Sequence, residues 1–179
     1  HTGAVPNELF GGDTAKLTVG WRTALGPGYS ALAVGDGKVI AMFAEGDGDF
    51  VAAFDTDSGE EVWRYRIADT NPGHDGSHDG PISTPLIADG LVFGLGAWGH
   101  LFAVDFKTGK ETWKTHLVDD NEIAKPWYGF TTSPLMADGV LIVDRVVDTS
   151  TFAEWAEYEA HHRDAFVDRI TAFVDRVGS

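Results

Sequence analysis

The sequence predicts an all-β fold: a partial β-propeller of four-stranded antiparallel blades, followed by one long C-terminal amphipathic helix. Three observations predict it. The stretch from Ala53 to Trp63 returns from Ala103 to Trp113, with Ala, Asp, Gly, Glu and Trp at the same offsets and Ser58 answered by Thr108. A second segment, Ser83 to Phe93, is echoed by Thr132 to Ile142 and more weakly by Ser30 to Ile40. Asp55 and Asp105 are 50 positions apart, Asp89 and Asp138 are 49 apart, and propeller blades repeat every ~40–50 residues. Third, the apolar period changes after Val143 from two to that of a helix, with no Gly or Pro between Val140 and Val177.

Each element follows from local chemistry. The first unit reads as strands Ser30–Val34, Lys38–Phe43, Phe50–Asp55 and Glu61–Arg66, and the second as Ser83–Ile87, Leu91–Leu95, His100–Asp105 and Glu111–His116. Asp89-Gly90 is a hairpin turn, because Asp-Gly accepts the positive φ angles a two-residue turn needs. Trp21 is the outer-strand Trp of an incomplete preceding unit, and Val140–Val143 is the second strand of a third unit that does not finish. Thr151 and Glu154 form a capping box, Gly178 is a C-cap, and the helix between them spans Phe152 to Val177, roughly 39 Å. Phe152, Trp155, Phe166, Ile170 and Phe173 share its apolar stripe and are expected to be buried at an interface. The predicted organisation is an N-terminal extension over 1–20, blades over 21–147 and the helix over 148–179.

Composition sets outer limits. The 179 residues suit one domain with a sizeable core, and 22 Gly suit many tight turns. A net charge of −15 argues against nucleic acid, whose phosphates need a basic surface, and against anionic lipid. No apolar run reaches the ~20 residues of a membrane span, so no direct membrane insertion is expected. The chain opens at His1 without a leader pattern, as a mature or trimmed form would. With no Cys there is neither a disulfide framework nor a thiol nucleophile.

The spacing Ala-x-Asp-x-x-(Ser/Thr)-Gly-x-x-x-Trp resembles the tryptophan-docking motif of PQQ-like, quinoprotein-type β-propellers. Gly28-Tyr29-Ser30, Asp79 to Pro85 and Trp127-Tyr128-Gly129-Phe130 resemble segments of secreted bacterial PQQ-like repeat proteins, and the likeness runs from Trp21 to Val143. It implies that Trp63 and Trp113 pack between blades, that Gly59 and Gly109 allow the tight connection, and that Asp55 and Asp105 cap turn amides. It further implies a periplasmic or secreted protein, since members include dehydrogenases and outer-membrane assembly scaffolds. Two departures stand out. A complete propeller of this class closes with about seven or eight blades, whereas two and a half are legible here. The family's quinone-dependent dehydrogenases use an adjacent Cys pair and calcium-binding carboxylates, and neither can be matched in this chain, so no cofactor is expected.

Topology sorts the loops by face. In a four-stranded meander, the loop entering the inner strand and the hairpin between strands two and three share one end. The entering loops are Gly26–Tyr29, Ala68–Pro81 and Val118–Thr131, and the hairpins are Ala44–Asp49 and Gly96–Gly99. Tyr29, His74, His78, Trp98, His100, Trp127 and Tyr128 therefore fall on or near one face, the candidate partner-binding surface. His74, Asp75, His78 and Asp79 have metal-ligating chemistry, but a Gly-rich loop does not fix their geometry and a polar connection is the plainer reading. Asp47 and Asp49 resemble part of a calcium loop without its remaining ligands, and read as a solvated hairpin. Glu159 with His162 is one Glu-x-x-His pair on one helix, short of a metal site. No nucleophile elbow, phosphate loop or dinucleotide fingerprint is present. The function these features favour is a non-catalytic protein-interaction or scaffold module, with a protein partner or self-association, in a larger extracytoplasmic assembly. The alternative is a fragment or divergent member of a quinoprotein-type dehydrogenase.

Overall fold

The computed structural model describes residues 19–73, 77–121, 125–126, 128–137 and 139–143. Two four-stranded antiparallel meanders make up most of it. The first contains β1 (Ala33–Gly35), β2 (Lys38–Glu45), β3 (Gly48–Asp55) and β4 (Glu61–Asp69), in that spatial order. The second contains β5 (Leu86–Ala88), β6 (Leu91–Leu95), β7 (His100–Asp105) and β8 (Glu111–His116), again in order. One helical turn, α1 (Leu117–Asn121), follows β8, and a two-stranded piece pairs β9 (Leu135–Ala137) with β10 (Val140–Ile142). The all-β blade architecture predicted from the repeat is what the chain forms. The predicted helix from Phe152 to Val177, with Trp155, Phe166, Ile170 and Phe173, lies outside the described residues.

Why these segments pair is visible in burial. The middle strands β2, β3, β6 and β7 are apolar and largely buried, and the second sheet is covered on both faces. Ile40, Met42, Val51, Ala53, Trp63 and Ile67 of the first sheet meet Val92, Phe102, Val104 and Phe106 of the second. The other face of the second sheet, with Phe93, Leu95, Leu101 and Ala103, packs on Leu117, Phe130 and Leu141. Sheets stacked face to face on alternating side chains form a continuous core. Polar contacts stitch the seams. Ala31 N–H donates to the Thr84 hydroxyl (3.2 Å), and at the repeat-equivalent place Thr84 N–H donates to the Ser133 hydroxyl (2.9 Å).

The duplicated motif forms the lower end of each unit. Asp55 Oδ1 accepts from the Asp57 and Ser58 amides (3.0 and 2.9 Å) and from the Ser58 hydroxyl (3.0 Å). Asp105 Oδ1 accepts from the Lys107 and Thr108 amides (3.1 and 2.8 Å) and from the Thr108 hydroxyl (2.7 Å). Those bonds favour the charged form and hold both carboxyls below the usual range, Asp55 chiefly through the Ser58 amide and Asp105 chiefly through the Thr108 hydroxyl. Next, the ladder slips by one residue: Ala53 faces Trp63 while Phe54 faces Glu61, and Ala103 faces Trp113 while Val104 faces Glu111. Val62 and Thr112 are thus bulged, and both bulges come just before the indole.

Each indole reaches the turn of the next unit. Trp63 Nε1 donates to the Phe106 carbonyl (2.9 Å), and Trp21 Nε1 to the Thr56 carbonyl (2.8 Å). Gly109 (φ 68°) lies under the Trp63 ring, and Gly59 (φ 73°) lies under the Trp21 ring. A Cβ at either glycine would stand 2.6 or 2.5 Å from the indole. Only glycine meets both demands, a left-handed backbone and contact with a flat ring. Trp113 occupies the register of Trp63 but is half-buried, resting at 6.1 Å from the Phe93 ring.

The structure corrects three details. The first hairpin turns on Gly46 and Asp47 alone, because pairing continues out to Glu45 and Gly48. The inner strands β1 and β5 keep three residues each. The segment after β8, read as loop, begins with α1, whose first turn carries Asp119 and Asp120. Carboxylates there are favoured by the amides exposed at a helix start.

Candidate functional site

The upper end holds the β2–β3 and β6–β7 turns and the loops that enter β1, β5 and β9. Two glycine contacts repeat there. Gly80 packs on Pro27 and Ala44, and Gly129 packs on Ala97, the counterpart of Ala44 in the second unit. Ala44 N–H bonds the Pro27 carbonyl (2.8 Å), and Phe130 N–H bonds the Ala97 carbonyl (2.9 Å). Each entering loop therefore leans on a hairpin, which positions side chains carried by loops on a rigid base.

On the first unit this brings Tyr29 and His78 together. The His78 amide donates to the Tyr29 hydroxyl (2.9 Å), and the rings lie 6.4 Å apart. Tyr29 remains 52% exposed. Asp79, itself exposed, accepts the Gly73 amide (2.8 Å). His74, Asp75 and Trp127 lie outside the described residues. Among those described, no three His, Asp or Glu side chains gather as a metal would require.

On the second unit, Lys125 sits over the Trp98 ring, 4.4 Å from its centroid, and Tyr128 is 56% exposed beside the buried Gly129. His100 has turned away from solvent. Its ring meets that of His116 edge-on at 4.5 Å, and its Nδ1 is buried without a partner among the described residues. Desolvation above all, helped by the nearby Lys114 and His116, pulls its pKa down to about 4. Lys114 is also lowered by burial, and its ammonium donates to the Ile67 carbonyl (2.5 Å) of the first unit. Of the predicted face residues, Tyr29 meets His78, Trp98 is covered by Lys125, Tyr128 stands exposed, and His100 packs on His116.

One place was missed in the sequence. Asp49, expected in a solvated hairpin, is 1% exposed. Its Oδ2 accepts the Asn71 amide (3.3 Å), and burial raises its carboxyl to about 6. The turn closes two residues earlier than read, so Asp49 is a strand residue at the sheet's upper edge and Asp47 takes the exposed tip. Asp69 and Asn71 match Asp119 and Asn121 at the 50-residue offset, a signal present in the sequence and passed over.

The arrangement is suited to recognition. Aromatic and imidazole groups stand on braced loops, and no nucleophile–base pair lies among the groups described above. The adjacent Cys pair that the resemblance implies for quinone-dependent dehydrogenases is absent from the sequence, and the described residues include no cluster of three His, Asp or Glu side chains.

Comparison with known proteins places the chain. A family model described as outer membrane protein assembly factor BamB matches residues 12–147. No curated protein sequence matches significantly. Among solved structures, the chain is similar to BamB from Moraxella catarrhalis (16% identity, TM-score 0.45), over 64% of this chain and 30% of that one. It is similar to the quinohemoprotein alcohol dehydrogenase from Comamonas testosteroni (23% identity, TM-score 0.49), over 66% of this chain and 17% of that one. A europium-containing methanol dehydrogenase shares 27% identity (TM-score 0.39) over 48% of this chain and 15% of that one. The chain spans less than a third of the length of each of these structures. The duplicated blades and the matched span, well over half the sequence, together show that the chain belongs to the PQQ-like repeat family of the outer membrane protein assembly factor BamB.

Proposed function

We propose that the chain is a non-catalytic propeller-type interaction module that works outside the cytoplasm as part of a larger assembly, with its upper end as the partner surface. The observation that carries this reading is the contrast in exposure. Tyr29, His78 and Tyr128 are solvent-exposed on loops packed against the buried Ala44 and Ala97. Exposed aromatic residues on a rigid base are what partner recognition uses, because they bury large area at little entropic cost. The family description supports an assembly role, and the partner class that fits it is a component of outer-membrane protein assembly.

The test is photo-crosslinking in cells that make the full natural protein. A crosslinking side chain at Tyr29 or Tyr128 should trap a defined envelope protein, and one at Val62, on the bulged outer strand, should not. Equal yields from all three positions would overturn the reading. So would alcohol- or sugar-dependent dye reduction by the purified chain supplied with PQQ and Ca²⁺, in which the substrate is oxidised and the dye reduced; that would establish the quinoprotein alternative.

A further inference from the structure

Among the described residues the third sheet has two strands. In the whole units the second strand is held on both sides, β2 between β1 and β3, and β6 between β5 and β7. Its counterpart β10 pairs with β9 alone among the described residues. Yet β10 is already seated, because Leu141 is 1% exposed and packs with Phe93, Leu95 and Leu101 of the second sheet. The opposite half of a unit stands at the other end of the stack. Trp21 donates its indole N–H to the turn of the first unit as Trp63 does to the turn of the second, so it holds the place of a fourth strand. Asp13 and Thr14 precede Trp21 by eight and seven positions, as Asp55 and Thr56 precede Trp63. Phe10 stands three before Asp13, as Phe102 does before Asp105. Residues 10–18 lie outside the described residues, and their sequence pattern is that of a third strand's end, its turn and the start of a fourth.

An open strand edge attracts another strand, since its amides and carbonyls lack partners. The two halves cannot supply each other within one chain. Trp21 lies on the far side of the first sheet, and β9 and β10 lie on the far side of the second. Stacked sheets ~10 Å apart leave the halves ~30 Å from each other, against ~4.8 Å between paired strands. We propose that the chain associates head to tail, with the segment 10–21 of one copy adding to the β10 edge of another to complete a shared blade. Complementarity selects this occupant: the edge needs strands three and four of this repeat, and the motif of those strands does not recur after Val143. The register follows from the second unit, where Leu91 faces Asp105 and Phe93 faces Ala103, so Val140 faces Asp13 and Ile142 faces Gly11. Each copy then contributes two whole blades and both halves of a third, and two copies close a ring of six, inside the ~4–8 blades of propellers. Leu17 stands where Gly59 and Gly109 stand, so the pairing rests on the strand edge and not on a seat for Trp113.

The experiment is sedimentation equilibrium of the intact chain, paired with cysteine crosslinking, with which no native thiol interferes. At about 100 µM the expected mass is twice 19.3 kDa. Gly11→Cys and Ile142→Cys, made in separate chains and mixed under mild oxidation, should form a two-chain disulfide. It should form at least ~10-fold faster than between Gly11→Cys and Val34→Cys, a position exposed on β1 but off this edge. If Ile142→Cys fails to fold, Phe10→Cys with Val143→Cys, the next pair in register, decides the matter. Three results each overturn the proposal: a 19.3 kDa monomer at that concentration, crosslinking to Val34→Cys at an equal rate, or a disulfide within one chain when Gly11→Cys and Ile142→Cys are combined. None of them bears on the upper end, whose reading stands or falls on crosslinking at Tyr29 and Tyr128.

Discussion

At their lower ends the two complete units use the same atoms in the same roles. An aspartate oxygen gathers two amides and a hydroxyl, a one-residue bulge precedes a tryptophan, and a left-handed glycine lies under the indole of the preceding unit. At their upper ends the same units have diverged. Where the first has Asp49 and Phe50, the second has Gly99 and His100, and where the first has Arg66, the second has His116. The divergence teaches where each kind of constraint acts. Lower turns must fit one another, since each receives an indole, so both keep the same residues. Upper ends receive no indole, which leaves each unit free to carry its own polar chemistry.

The largest expected effect probes the shared end. Trp63 is 8% exposed, while Trp113 is half-buried. Trp63→Ala should cost about 3–5 kcal/mol and Trp113→Ala about half as much, read by urea unfolding. Equal costs would break the comparison, because they would mean that docking on a following turn adds nothing.

A smaller effect probes the diverged end. His100 has a depressed pKa of about 4, so it stays neutral when folded while the unfolded chain takes up a proton near 6.5. Its contribution to stability is therefore intact above pH 6.5 and is lost as the pH falls from 6.5 through 4. His100→Phe, which installs the residue of the first unit, should remove this acid loss over that window, where Asp49, raised to about 6, titrates in the opposite sense. An unchanged acid limb would place the titrating group elsewhere.

Much of the lower end was legible in the sequence, because its geometry is local. Asp105, Thr108, Gly109 and Trp113 lie within nine positions, and the copy at Asp55 to Trp63 repeats their spacing. The strands β6, β7 and β8 agree with expectation residue for residue for the same reason. The upper end was legible only in outline. Meander topology puts Tyr29 and His78 at one end, but their contact crosses 49 positions and depends on how Gly80 fits against Pro27 and Ala44. Asp49 was misread because a Gly-Asp run looks solvated until the turn is known to close at Gly46 and Asp47. Likewise His100 looks like a face residue until the ring of His116, sixteen positions on, is seen against it.

The central claim is that each indole and the next unit's glycine act as one device. A double-mutant cycle of Trp63→Ala and Gly109→Ala, read by urea unfolding, tests it most directly. The parent should lose stability with Gly109→Ala, since the new Cβ would stand 2.6 Å from the indole. In the Trp63→Ala background only the backbone strain should remain, which gives a coupling of about 1–3 kcal/mol. Additive losses, with coupling near zero, would contradict the account.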